Sequence, residues 1–191
     1  MTTMGLFVRW CLGLASPETQ TTDAERDCIA KYATGCKSVA EIGVWHGVTT
    51  CRLLQAMDPA GTLWAVDPYP TGRLGFSTQR VIAHRTVRPF DRGRVRWLRT
   101  TGKEAAPLVG GTVDFLFIDG DHTYEGLRGD WEAWSGLIAP GGHVALHDSV
   151  STPARPIDGA GSVIYTREVI WQDPRFELAE TVDSLTVLRR H

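Results

Sequence analysis

Two rhythms of apolar and polar positions alternate along the chain. Short apolar runs of strand length are separated by longer stretches whose apolar positions recur three and four residues apart, the spacing of a helix. Residues 38–42, 62–66, 94–98, 113–118 and 143–146 read as strands. The run 113–118 is apolar but for Asp114, as expected of a strand covered on both faces. Residues 22–33, 49–57, 103–109, 124–138 and 162–172 read as helices, with a further helical stretch over 81–86. Thr21 or Thr22 caps the first of these, with Asp23 and Glu25 in its first turn. Pro140-Gly141-Gly142 breaks the helix that precedes it, and the Pro- and Gly-rich segments 68–80 and 149–161 read as loops. The last two strands, 176–180 and 184–188, turn at Val182-Asp183, and so short a link makes them antiparallel. The alternation predicts an α/β fold: a mostly parallel, seven-stranded sheet with an antiparallel C-terminal strand and helices on both faces.

Composition narrows the class. At 191 residues and 21.0 kDa the chain suits a single domain over residues 1–191, with residues 1–20 as an appendage serving as lid or dimer contact. The formal net charge of −2 argues against nucleic acid as the main partner. Cys11, Cys28, Cys36 and Cys51 form no CxxC pair, so neither a structural zinc site nor a disulfide framework is expected. The apolar stretch 5–15 is interrupted by Arg9 and too short to span a bilayer, which predicts a cytoplasmic protein without membrane attachment.

The first chemical signal is Glu41-Ile42-Gly43-Val44-Trp45-His46-Gly47, between the first strand and its crossover helix. Ligands of open α/β sheets bind at the carboxyl ends of strands, where Gly43 lets the backbone turn tightly. Asp67 ends the second strand, placed to accept ribose hydroxyls. The pattern G-x-G-x-x-G is absent, which speaks against NAD or FAD, and no P-loop motif occurs. Strand, Glu-Ile-Gly-x-x-x-Gly, helix, strand, Asp resembles the class I S-adenosylmethionine-dependent methyltransferases, from about residue 22 onward, with their Rossmann-like fold. That resemblance implies a cofactor site in which Glu41, Gly43, Trp45 and Gly47 line the methionine end. Asp67 holds the ribose, Thr101 and Gly102 lie against the adenine, and Asp119 approaches the methionine part. Trp45 reads alternatively as a core aromatic.

The second signal pairs Asp119-Gly120-Asp121-His122 with His147-Asp148-Ser149. If the fourth and fifth strands are neighbours, their ends bring Asp119, His147 and Asp148 together. Two carboxylates and an imidazole on an open edge can bind one divalent cation; oxygen ligands favour Mg2+, and the imidazole moves the preference toward Mn2+. Asp121 reads as a turn residue, Asp130 and Glu132 as the solvated face of the next helix, and Trp131 and Trp134 as packing. The spacing also resembles the small metal-dependent O-methyltransferases of the catechol and antibiotic-sugar type. That resemblance implies Asp119, His147 and Asp148 as metal ligands and His122 as general base; His147 departs from the family's usual carboxylate. Without metal, His122 or His147 serves as base alone.

The acceptor must sit over the same edge, within reach of segments 1–20, 68–90 and 149–161. These carry Tyr69, Arg73, Phe76, Arg80, Arg85, Arg155 and Asp158. Such a mixture suits a small molecule, with a sugar or saccharide hydroxyl favoured. A phenol, nitrogen or carboxylate acceptor without metal is an alternative, as is a cofactor-binding module without catalysis. Leu6, Phe7, Trp10 and Leu12 near the start suit docking on a second copy, hence a homodimer.

Overall fold

The computed structural model describes residues 3–72 and 75–191. Its strands are β1 (Ser38–Ile42), β2 (Thr62–Val66), β3 (Val95–Leu98), β4 (Val113–Ile118), β5 (Ile138–Leu146), β6 (Phe176–Val182) and β7 (Leu185–Arg190). The α-helices are α1 (Thr3–Cys11), α2 (Asp23–Ala33), α3 (Val48–Ala56), α4 (Thr78–Asp91), α5 (Gly102–Ala105), α6 (Tyr124–Trp134) and α7 (Gly161–Glu168). The strands form one sheet in the order β3-β2-β1-β4-β5-β7-β6. β3, β2, β1, β4 and β5 pair in parallel, and β7 runs antiparallel to both of its neighbours. The chain moves outward in one direction from β1 to β2 and in the other from β1 to β4, so the sheet's switch point lies between β1 and β4.

Strand alternation divides the core into two layers. Val39, Phe115, Phe117, Ala145 and Val187 face one side with Ile29 of α2, Leu53 of α3 and Val87 of α4. Ala40, Leu116, Ile118, Val144 and Leu188 face the other with Leu127, Trp131 and Trp134 of α6 and Tyr165 of α7. Trp131 and Trp134 thus pack, and the buried Trp134 Nε1–H donates to the Gly102 carbonyl at 2.8 Å. A reciprocal cap starts α2: Thr22 Oγ1 accepts from the Glu25 N–H at 3.1 Å, and Glu25 Oε2 accepts from the Thr22 N–H at 2.8 Å.

Three elements differ from the expectation. α4 is longer than the stretch 81–86, because Ser77 caps it and its apolar stripe, Ile82, Ala83 and Val87, is thin among polar residues. The helix expected to reach residue 138 stops at Trp134, a 3-10 turn follows, and Ile138 opens β5. Pro140-Gly141-Gly142 lies inside that strand: the ladder to β4 shifts register there, and pairing to β7 begins only at His143, so Pro140 removes no hydrogen bond on that side. The apolar stretch near the start contributes to α1, which packs against α4. No helix among the described residues is long and apolar enough to cross a membrane.

Phe115 is fully buried in β4 between β1 and β5. Phe115→Ala is expected to cost about 3–5 kcal/mol in denaturant unfolding. A loss under about 1 kcal/mol would contradict a close-packed layer there.

Candidate functional site

A cavity of about 660 Å³ opens at the carboxyl ends of β1, β2 and β4, at the switch point. Its sharpest feature is the turn after β1. Gly43 has φ +88°, and a Cβ there would stand 1.9 Å from the Asp119 carbonyl oxygen. Only glycine lets the β1 turn and the end of β4 approach so closely. Asp67 ties the same turn to β2. Its Oδ2 accepts from the N–H groups of Val44 and Trp45 at 3.1 and 2.9 Å, and its Oδ1 from Tyr69 at 2.8 Å. Burial pushes its pKa up, and these three bonds oppose the push. A carboxylate offers about four acceptor positions, so one remains toward the cavity.

Trp45, Thr101, Gly102, Asp119 and His122 also line the cavity. Two residues expected there do not. Alternation along β1 sends Glu41 to the α3 side, where Thr50 Oγ1–H donates to it and its Oε1 has no hydrogen-bond partner. Burial, with Asp119 and Asp67 pushing the same way and the Thr50 bond opposing, raises its pKa to about 8. Gly47 opens α3 with φ +78°, and a Cβ there would meet Val87 Cγ2 at 2.7 Å. Its absent side chain serves the packing of α3 on α4.

Asp130, expected on a solvated face, is 6% exposed and stands on the cavity wall. A Cβ on Gly102 would lie 2.3 Å from its Oδ1. Burial raises its pKa to about 6, opposed by the Lys103 backbone N–H. The signal was in the spacing: Asp130 falls three residues after Leu127, on the buried side of α6. Glu132 is exposed. Arg73 lies outside the described residues. Tyr69 is buried rather than reaching the rim, and Phe76 packs edge-on against Phe7.

The ends of β4 and β5 carry a chain of charges. Asp119 Oδ1 lies 2.8 Å from His147 Nδ1 and 3.5 Å from His122 Nε2. His122 Nε2 is also 3.8 Å from Asp148 Oδ2. The His147 ring is fully buried, and its Nε2 lies 3.4 Å from Glu25 Oε2. Glu25 Oε1 accepts from the Ser184 N–H and Oγ–H at 3.0 and 2.7 Å. Burial works against charge on both groups, but the bonds prevail. Glu25, facing His147 and bonded to Thr22 and Ser184, is held at about 2. His147, bonded to Asp119 and facing Glu25 and Asp148, is raised to about 10. The imidazole is thus lodged between the carboxylates of Asp119 and Glu25. The T-x-x-E pattern located Glu25 in a cap, but nothing local announced its long reach to His147.

These donors do not fit a magnesium ion. Asp119, His122 and His147 do place one ligand atom each within 4.8 Å of one another. That set holds a single carboxylate, whereas magnesium takes oxygen ligands. Asp148 Oδ2 pairs with the guanidinium of Arg155. Asp119 and His147, two of the expected ligands, stand in that cluster, and Asp148 lies beside it with its Oδ1 3.7 Å from His147 Nδ1.

The charge pair sets a pH dependence. Glu25 is held below its ordinary 4.5, so its contribution to stability is present above about pH 4.5 and is lost as pH falls toward about 2. His147 is raised above its ordinary 6.5, so its contribution is present below pH 6.5 and is lost as pH rises through about 10. Thermal unfolding midpoints of the wild type should decline on both sides of that window. His147→Gln should flatten the alkaline decline, and an unaltered alkaline arm would assign it to other groups.

A family model described as a methyltransferase domain matches residues 40–149. The chain is 29% identical over 125 residues to the uncharacterized protein y4gI of Sinorhizobium fredii. That match covers 62% of this chain and 14% of the relative, so the chain spans a small part of that relative's length. Among solved structures, cofactor-bound Rv0187 from MTB superposes with a TM-score of 0.73 at 16% identity, covering 98% of this chain and 88% of that one. The O-methyltransferase from Bacillus cereus in complex with SAH gives 0.66 at 17% identity, covering 96% and 87%.

Proposed function

The chain belongs to this methyltransferase domain family, and on that premise we propose that it transfers the methyl group of S-adenosylmethionine to a hydroxyl of a small molecule. The cofactor reading is supported by the glycine-tight turn at Gly43, the acceptor position left on Asp67 and the cavity wall that Gly102 and Asp130 form together. Gly43 and Trp45 then frame the methionine end, Asp67 the ribose, and Thr101, Gly102 and Asp130 the base. S-adenosylmethionine supplies an electrophilic sulfonium methyl, which passes to the acceptor oxygen as the thioether leaves.

One observation carries the catalytic reading: His122 stands on the cavity wall with its Nε2 facing Asp119 and Asp148. His122 takes the hydroxyl proton at Nε2, where two carboxylates flank the cation formed. The His147 ring is fully buried, with Nδ1 2.8 Å from Asp119 and Nε2 turned to Glu25, so it orients Asp119 and does not reach the acceptor as base. No step needs a metal ion. The polar rim of Gln20, Gln79, Asp121 and Glu125 suits a polyhydroxylated, sugar-like acceptor better than an apolar ring. Residues 1–20 are read as lid and dimer contact, because α1 and the turn after it leave Val8, Leu12 and Leu14 exposed.

S-adenosylhomocysteine should bind in calorimetry and NADH should not; the reverse would sink the assignment. Across a panel of sugars and phenols, His122→Ala should lower methyl transfer by at least roughly a hundredfold with cofactor affinity retained. Turnover that survives would move the base elsewhere. Light scattering should report a dimer at micromolar concentration, and a clean monomer would refute the docking role of residues 1–20.

A further inference from the structure

The charges at the rim point to a device that the methyl-transfer reading does not require. Asp148 is 5% exposed and adopts φ +50°, with its carbonyl accepting from Ser162 Oγ–H at 2.6 Å. Its side chain is thereby fixed at the end of β5, next to His122 and His147. Arg155 comes to it from a closed turn. Thr152 and Arg155 exchange two backbone hydrogen bonds, at 3.1 and 3.0 Å, and the Arg155 N–H also meets Thr152 Oγ1 at 3.1 Å. The turn presents the guanidinium to Asp148 Oδ2 with its backbone already ordered. Asp148 Oδ1 makes no hydrogen bond, so among the described residues the Arg155 guanidinium makes the one side-chain hydrogen bond to this carboxylate, with His147 and His122 farther off at 3.7 and 3.8 Å. On the other side of the rim the His147 ring turns both nitrogens to carboxylates, Nδ1 to Asp119 and Nε2 to Glu25.

Resting on the proposed methyltransferase site, we infer that Arg155 stands in for a divalent ion: its guanidinium occupies the position at Asp148 that a metal-dependent rim would give to a cation. A guanidinium is permanently charged and matched in shape to a carboxylate. It neutralises Asp148 without recruiting an ion. Asp119 Oδ1 in turn faces His147 Nδ1 at 2.8 Å. Arg155 thus acts as a positioning residue that keeps Asp148 aimed beside His122.

Removing the guanidinium should uncover a latent metal site, because both Asp148 oxygens would then stand free near Asp119 and His122. The test uses Mn2+ alone, titrated into the full chain and followed by electron paramagnetic resonance. The wild type should leave Mn2+ free up to about 1 mM. Arg155→Met, which keeps the apolar stem, should bind Mn2+ at least roughly tenfold more tightly than the wild type. The gain should vanish in Arg155→Met/Asp148→Asn. S-adenosylhomocysteine affinity within about threefold of wild type would show that the variant is folded. Wild-type binding of Mn2+ below about 100 µM overturns the inference without any variant, and so does an Arg155→Met protein that binds no more tightly. Cofactor titration reads separately: if S-adenosylhomocysteine fails to bind, the methyltransferase reading falls while the Mn2+ comparison still decides the role of Arg155.

Discussion

One backbone contact organises the site. The Asp119 carbonyl occupies the space that a side chain at position 43 would fill. This closeness joins the turn that follows β1 to the end of β4, the two strands that flank the switch point. The cofactor side and the acid side of the cavity are thus parts of one rigid edge. Gly43 N–H to the Val66 carbonyl and Asp119 N–H to the Ile42 carbonyl extend the ladders into the turns themselves. A site built on strand ends holds its geometry better than one built on loops.

Behind that edge the protein keeps an unusual amount of charge out of water. Isolated burial would neutralise Glu25 and His147, but each supplies the other's counter-charge, and Ser184, Thr22 and Asp119 satisfy the remaining positions. Glu41 shows the contrast. It has only the Thr50 hydroxyl, and its pKa is pushed up instead. Two glutamates, both close to fully buried, thus shift in opposite directions because of their neighbours.

Much of the fold was legible because it rests on local rules. Strands β1, β2 and β4 are mostly apolar runs bounded by turn residues, and the Gly43 turn and Asp67 follow from their places at strand ends. The misses share a cause: a partner distant in sequence decides the outcome. Pro140 sits in a strand because β7 does not reach that far along β5. Asp130 faces the cavity because a glycine stands opposite at position 102. Adjacency of His147 and Asp148 does not reveal their distant partners, Glu25 for one and Arg155 for the other. Residue spacing gives position on an element; it does not say which of several counter-charges a side chain will choose.

The bond from Ser184 to Glu25 has a kinetic corollary. It joins α2 to the β6–β7 hairpin, made later in synthesis, across a separation of 159 residues. A nascent chain that has emerged just past β5 holds His147 but lacks Ser184, which caps Glu25. The buried ion pair is therefore among the last things to form. Loop closure over such a distance is slow and makes for high contact order. Until the ribosome has delivered β6 and β7, β5 is an open edge, and chaperones or the translation tunnel have the most to shield there.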